Sequence, residues 1–345
     1  MPSRKTVCLR IAILLVFLFA GLIIYKTQPN MEIQGEESPV SATGFYFNTS
    51  IKITLYDSRD SSLLDQCMEL CETYENLFSR TDPDSELYRL NHRQLPETSR
   101  GYEVSDDTAR LIKKGLEYCR LSGGAFDITI APVSDLWDFT SGSHQIPSAS
   151  DLQEAASHVN YQNVSVEGNY ISFQDPDIQI DLGAIAKGYI ADQLKDYLVS
   201  QKVTSAIINL GGNVLCIGSH TDGTPFQIGL QKPFSDRNTT VSTLNISDCS
   251  VVSSGIYERY FEKDDTIYHH LLNPRTGYPY QNGLVSVTIV SESSADGDGL
   301  STSCFALGLE KGMELAESLP DTYACFITED GTLHYSRGFE EKFLK

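Results

Sequence analysis

The chain has 345 residues, 41% of them hydrophobic, enough to bury a large core in one or two domains. Its 26 basic and 46 acidic side chains leave a net charge of −20. A phosphate-tracking surface needs clustered Lys and Arg, so this balance argues against nucleic acid as a partner. The eight cysteines form no CxxC or Cys/His cluster that would suggest zinc or redox chemistry; Cys8 falls at the apolar N-terminal run, and Cys67 and Cys71, one turn apart on an apolar stripe, read as small buried hydrophobes.

In chain order, a basic stretch (1–10) with Arg4, Lys5 and Arg10 precedes the uncharged run Ile11–Tyr25. Its length falls between a signal-peptide core and a spanning helix, which needs roughly 17 residues or more. It reads as an uncleaved membrane anchor with its positive end in the cytoplasm, the alternative being a cleaved signal. Either way the bulk of the chain is exported, and the expected location is the outer side of the cell membrane. Residues 26–43 are polar and contain Pro and Gly, which suits a tether, and the globular unit is expected over 44–345.

FYFNTSIKITLYD alternates as a first strand. Apolar spacing predicts helices over about Ser62–Phe78, Asp106–Leu121 and Ser150–His158. DIQIDLGAIAKGYIADQLKDYLVSQKV reads as a strand running into a helix. SAIINLGGNVLCIG reads as two strands folded about Gly211–Gly212. FQIGLQ, STLNIS, CSVVSSG and Leu284–Val290 add strand signals, Leu300–Leu319 reads as one amphipathic helix, and ACFITEDGTLHYS closes as a hairpin. Strands in neighbouring groups with interspersed helices favour an α+β fold with mixed or antiparallel sheets.

Four segments mix glycine with reactive side chains at element boundaries. GGAFDITIAPVSDLWDF offers Asp127 as a hydrogen-bond acceptor or metal ligand, and its Trp137 suits a core anchor. DLGAIAKGYIAD places Lys187 near a helix start, where it suits a phosphate or plain solvent, and Asp181 suits a ligand or a cap. SSGIYERYFEKDDTIYHHLLNPRTGYP carries His269 and His270; neighbours on a strand face opposite ways, so one of them at most enters a given site. In ADGDGLST, Asp298 and Thr302 are one helical turn apart, a hard-oxygen pair for Mg²⁺ or Ca²⁺, or simply a helix cap. An EF-hand is excluded, because counting from Asp296 puts Leu307 where the loop needs glutamate. No GxSxG elbow is present.

Taken in order, FSRTDPDSELYRLN, GGAFDITIAPVSDLWDF, DLGAIAKGYIAD, INLGGNV, SSGIYERYF, HLLNPRTGYP and DGLSTSCFALG make the chain resemble the ApbE family of flavin transferases over about residues 44–340. The resemblance implies transfer of FMN from FAD to a Thr or Ser hydroxyl of an acceptor flavoprotein, with release of AMP and dependence on Mg²⁺. Alternatives within it are a Mg²⁺-dependent FAD pyrophosphatase and a non-catalytic FAD-binding protein. It further implies Asp298, Thr302 and the carbonyl of Ala184 as metal ligands. Ala125, Phe126, Asp127, Asp181 and Lys187 would contact the flavin nucleotide, and His270 would be the general base with His269 its outward-facing neighbour. Asp296 is left to capping or support. The chain departs from the family pattern at Asn273 and Ile256, where Asp is common, and near Thr81, where an aromatic residue often occurs.

Overall fold

The structure is a computed structural model that describes residues 38–139, 144–236 and 238–344. The expected anchor, and the tether as far as residue 37, lie outside the described residues. The frame is an eight-stranded sheet whose order is Val40–Tyr46, Thr49–Leu55, Ser205–Leu210, Asn213–Gly218, Ser250–Gly255, Leu284–Ser291, Tyr323–Thr328 and Leu333–Tyr335. All its neighbours run antiparallel. Every residue of Leu284–Ser291 is buried, because both faces of the sheet are covered.

One face carries the helices Ser61–Phe78, Asp106–Leu121, Ala186–Ser200 and Ser294–Leu307. Their apolar stripes meet Ile51, Ile53, Ile208, Val287 and Ile289 in the main core. In the first helix Leu64, Cys67, Cys71, Tyr74 and Phe78 form one stripe, and Asp60 caps the start by accepting from Ser62 N–H at 3.0 Å. The other face packs Val214, Val251 and Val290 against the hairpin Phe226–Gln231/Thr240–Ile246 and the short helix Phe339–Phe343. A four-stranded sheet lies apart from the frame, with strands Glu97–Thr98, Gly101–Glu103, Tyr170–Phe173 and Val164–Glu167. The ribbon Tyr260–Lys263/Thr266–His269 packs Phe261 and Tyr268 on Trp137, whose Nε1–H donates to the Gly277 carbonyl at 2.8 Å. The α+β class and the core role of Trp137 follow the sequence reading.

Three elements differ from it. The first strand is a hairpin that begins at Val40, inside the expected tether, and turns on Phe47 and Asn48 with φ of 54° and 56°. Both turn residues are left-handed, as a two-residue hairpin turn requires, but phenylalanine gives no turn signal. Second, the segment before the Ala186–Ser200 helix is not a strand; it makes one isolated bridge, Ile130 with Gln179. Its backbone is satisfied instead by the buried Asn91 amide, which accepts from Ile180 N–H and donates to the Ile180 carbonyl, both at 2.8 Å. Third, the long C-terminal helix is two, Ser294–Leu307 and Leu309–Ser318, broken at Gly308 with φ of 82°.

Candidate active site

The helix Ser294–Leu307 starts ahead of the expected Leu300, so ADGDG forms its first turns. Two causes are visible. Ser293 caps the start, accepting from Asp296 N–H at 3.2 Å. The half-buried carboxylate of Asp192, on the Ala186–Ser200 helix, accepts from Ser293 Oγ–H (2.7 Å), Ser294 N–H (2.7 Å) and Ala295 N–H (3.0 Å). The glycines answer to packing: a Cβ on Gly297 would lie 2.6 Å from Val252, and one on Gly299 would lie 2.3 Å from the Tyr118 ring.

This start buries Asp298 to 5% exposure. Gly188 N–H donates to its Oδ2 at 2.5 Å. Gly188 itself is fixed by close approach, since a Cβ there would sit 2.2 Å from the Ser294 carbonyl oxygen. Burial pushes the Asp298 carboxyl upward, opposed by the Lys187 charge and the Gly188 N–H. Thr302 lies one turn on; its Oγ1 is 3.0 Å from Ser254 Oγ, which is also 2.8 Å from Ser301 Oγ. Asp296 is committed elsewhere, accepting from the Tyr118 hydroxyl and pairing with Lys114. It supports the helix against Asp106–Leu121 rather than capping it.

In the 181–188 segment, Asp181 Oδ1 accepts from Gly183 N–H at 2.8 Å and shapes the turn that carries Ala184. Its Oδ2 pairs with Arg80 Nε at 3.1 Å, and Arg80 also holds Asp135. Half-buried Lys187 donates to the Gly183 carbonyl at 3.5 Å. Asp181 N–H donates to the Ile128 carbonyl at 2.7 Å, which ties this turn to the 123–130 loop.

In that loop the side chains serve the loop itself. Asp127 Oδ1 accepts from Thr129 N–H (2.9 Å) and Oγ1–H (2.7 Å), and its Oδ2 accepts from Tyr161 N–H at 3.0 Å. Phe126 is buried edge-on to Tyr118. The Ala125 carbonyl accepts from the Tyr280 hydroxyl at 2.8 Å, linking the loop to the HLLNPRTGYPY segment. A ligand contact from 125–127 is therefore a matter of backbone and loop shape.

The two histidines part company as strand alternation requires, but His269 is not outward-facing. It is buried, donating from Nε2 to the Tyr280 carbonyl at 2.9 Å and accepting Leu271 N–H on Nδ1 at 3.3 Å. Half-buried His270 has Nδ1 3.3 Å from the Arg259 carbonyl. A carbonyl only accepts, so this contact puts the proton on Nδ1 and leaves the Nε2 lone pair available. Burial, the Arg259 guanidinium, His269 and Lys187 together hold the ring well below its ordinary value, so it is neutral at physiological pH.

The structure thus brings Asp298 onto the 183–188 turn and sets Lys187 within electrostatic reach of both Asp298 and His270. Carboxylate, hydroxyl and carbonyl oxygens are hard donors that fit Mg²⁺. The buried Asn213 Nδ2, which has no hydrogen-bond partner among the described residues, marks the same spot as one built around a polar group. His158, Asp175 and Asp177 also bring ligand atoms within 4.8 Å of one another. That group is an ion pair, with His158 Nδ1 2.9 Å from Asp175, and Arg93 donates to the carbonyls on either side of Asp177. Sequence reasoning missed Arg80, Asp192, Asn213 and Tyr280 as builders of the site; all lie inside or beside the quoted motifs, but their partners are distant in the chain.

An α+β frame that gathers flavin-transferase motifs around a buried carboxylate and a neutral histidine defines a class, and comparison with known proteins agrees. Residues 47–327 match the ApbE family, and the chain belongs to it. It is 38% identical to an FAD:protein FMN transferase of Klebsiella pneumoniae, across 84% of this chain and 89% of the relative. It is 32% identical to one of Vibrio cholerae, across 80% and 82%. The fold matches the solved flavin transferase ApbE of Vibrio cholerae with a TM-score of 0.79 at 28% identity, covering 88% of this chain and 99% of that one. The ApbE protein of Thermotoga maritima matches with 0.79 at 29% identity, over 88% and 99%.

Proposed function

We propose that this chain is an FAD:protein FMN transferase that moves FMN from FAD onto a Thr or Ser hydroxyl of an acceptor flavoprotein. The observation that carries the reading is the buried Asp298 held by Gly188 N–H, next in the chain to Lys187, together with His270, whose Nδ1 rests on the Arg259 carbonyl. In the reaction the acceptor oxygen bonds to the phosphorus that stays with FMN, the pyrophosphate P–O bond breaks, and AMP departs with the bridging oxygen. His270 Nε2 takes the hydroxyl proton, which a carbonyl-anchored imidazole is oriented to do. Lys187 supplies a positive charge beside the pyrophosphate without a broader basic surface. Asp298, Thr302 and the Ala184 carbonyl would hold Mg²⁺, whose chemistry there is neutralisation of the pyrophosphate oxygens. The 125–127 backbone and the Asp181 turn shape the flavin-nucleotide side.

The purified globular unit incubated with FAD, Mg²⁺ and an established acceptor tests this directly. Mass spectrometry should find an FMN-sized addition on the acceptor. Folded protein that leaves the acceptor unmodified would refute transfer, and free FMN and AMP produced regardless of acceptor would make the chain a pyrophosphatase. The Ile11–Tyr25 run supports a further part of the proposal, that the unit is held at the outer face of a membrane. Retention of the full chain in the membrane pellet after alkaline extraction is expected, and release would overturn it.

A further inference from the structure

We infer that Cys216 and Cys249 form a thiol pair that a small disulfide reagent converts, reversibly, into a cross-strand disulfide stapling the frame around its hairpin. Cys216 lies on the strand Asn213–Gly218, and Cys249 directly precedes the neighbouring strand Ser250–Gly255. These strands pair antiparallel, with Ser250 opposite Leu215 and Val251 opposite Val214. One step along the same register sets Cys249 opposite Cys216, and Cys216 N–H donates to the Cys249 carbonyl at 3.0 Å. Directly opposed residues share a face of the sheet. Both cysteines accordingly join Val214 and Val251 in the core under the Phe226–Gln231/Thr240–Ile246 hairpin, on the face away from the site helices. A hydrogen-bonded antiparallel pair stands about 5.5 Å apart at Cα, inside the span of about 4.4–6.8 Å that a disulfide bridges. Of the seven described cysteines, these two alone stand opposite each other across a ladder. The residues between them, 217–248, hold the whole hairpin, so the bond would close a loop around it.

The two thiols are unequal. Cys216 is fully buried, and burial, followed by Cys249, pushes its thiol up to about 12. Half-buried Cys249 lines a surface cavity of about 190 Å³ with Asp248, Glu292, Tyr323 and Lys342. Burial raises its thiol too, as do Asp248 and Glu292, while the Lys342 and Lys195 charges work against the rise. Cys249 is therefore the entry point. Its thiolate attacks one sulfur of glutathione disulfide; a mixed disulfide forms, and one glutathione leaves and takes up a proton. The Cys216 sulfur then gives up its proton and attacks Cys249 Sγ, releasing the second glutathione as thiol. The pair loses two protons and two electrons, and the reagent takes up both. The placement at the outer face of a membrane, proposed above, would put the pair where such bonds persist.

The full chain, held with glutathione disulfide under native conditions, can be mapped by peptide mass spectrometry without reduction. It should yield one linked species joining the Cys216 and Cys249 peptides, two hydrogens lighter than their sum. Its Tm should rise by about 5 °C, and dithiothreitol should reverse both changes. Cys216→Ser should stop at a glutathione adduct on Cys249, and Cys249→Ser should leave Cys216 a thiol. A parent chain in which both thiols survive, or in which Cys249 carries only glutathione, would overturn the pair without recourse to either variant. Linkage with an unchanged Tm would overturn the staple.

Discussion

Asp127 and Asp298 look alike by sequence, each an aspartate close behind glycines at an element boundary. Both are buried, at 8% and 5% exposure, and burial raises both carboxyls. They differ in what their oxygens do. Asp127 spends both on its own loop and on Tyr161, so it is a structural acceptor. Asp298 has one oxygen held by Gly188 N–H and lies beside Lys187. Burial alone does not mark a reactive carboxylate; the number and source of its donors do.

The sharpest way to break this contrast is to remove both groups in turn. Asp298→Ala should cut Mg²⁺-dependent FMN transfer by roughly 1,000-fold, since a bound cation supplies several kcal/mol of charge stabilisation. Residual transfer near the parent rate, measured by acceptor mass, would sink its role. Next in size, His270→Ala should slow transfer by about 100-fold while leaving FAD affinity intact, which a fluorescence titration of bound FAD would check. The sign of the pH effect follows from its depressed pKa. The base is unprotonated above its folded value, so the acid limb of kcat should fall well below pH 6.5, not at it. An inflection at the ordinary histidine value would place the proton elsewhere.

Asp127→Ala should act on the fold instead. It strands two backbone N–H groups and one hydroxyl, at a cost of about 1–3 kcal/mol, visible as a lower Tm with Mn²⁺ affinity unchanged. A selective loss of metal binding would erase the contrast with Asp298. The smallest effect belongs to His158 and Asp175. The hydrogen bond between them raises the His158 pKa, so that contribution is present below 6.5 and lost as pH rises through the folded value. Asp175 is lowered by the Asp177 N–H and by His158, so its contribution is present above 3.8 and lost as pH falls through the folded value. Their joint stabilisation should peak between these limits and flatten in His158→Gln, by less than about 1 kcal/mol for a pair still in contact with solvent.

What could be read from the sequence was what local pattern controls. The Asp106–Leu121 helix has a cap and an apolar stripe of its own, and the Gly211–Gly212 turn announces its hairpin. Phe47 and the Asn91-bonded segment near Ile180 have no local signal, because a twisted hairpin and a distant amide impose their conformations. The site divides the same way. Asp298, Thr302, Lys187 and His270 stand in quotable motifs, whereas the Asp192 cap spans 101 to 103 residues and the Asn213–Ser294 bond spans 81. Alternation told His269 from His270 but not which of them faced the core; Tyr280 and Phe305 decide that.

The cysteines carry a last consequence. Cys67, Cys71, Cys119, Cys216, Cys304 and Cys325 are free and buried, with burial raising each thiol, to about 12 for Cys67 and Cys71. Only half-buried Cys249 among the described residues stands nearer to solvent. Among these seven, an alkylating reagent should therefore label Cys249 first and reach the other six only when the core opens. Because they sit on the first helix, the site helix and strands of the frame, their labelling order amounts to an internal clock. It would read which layer of the protein comes apart first, without any added probe.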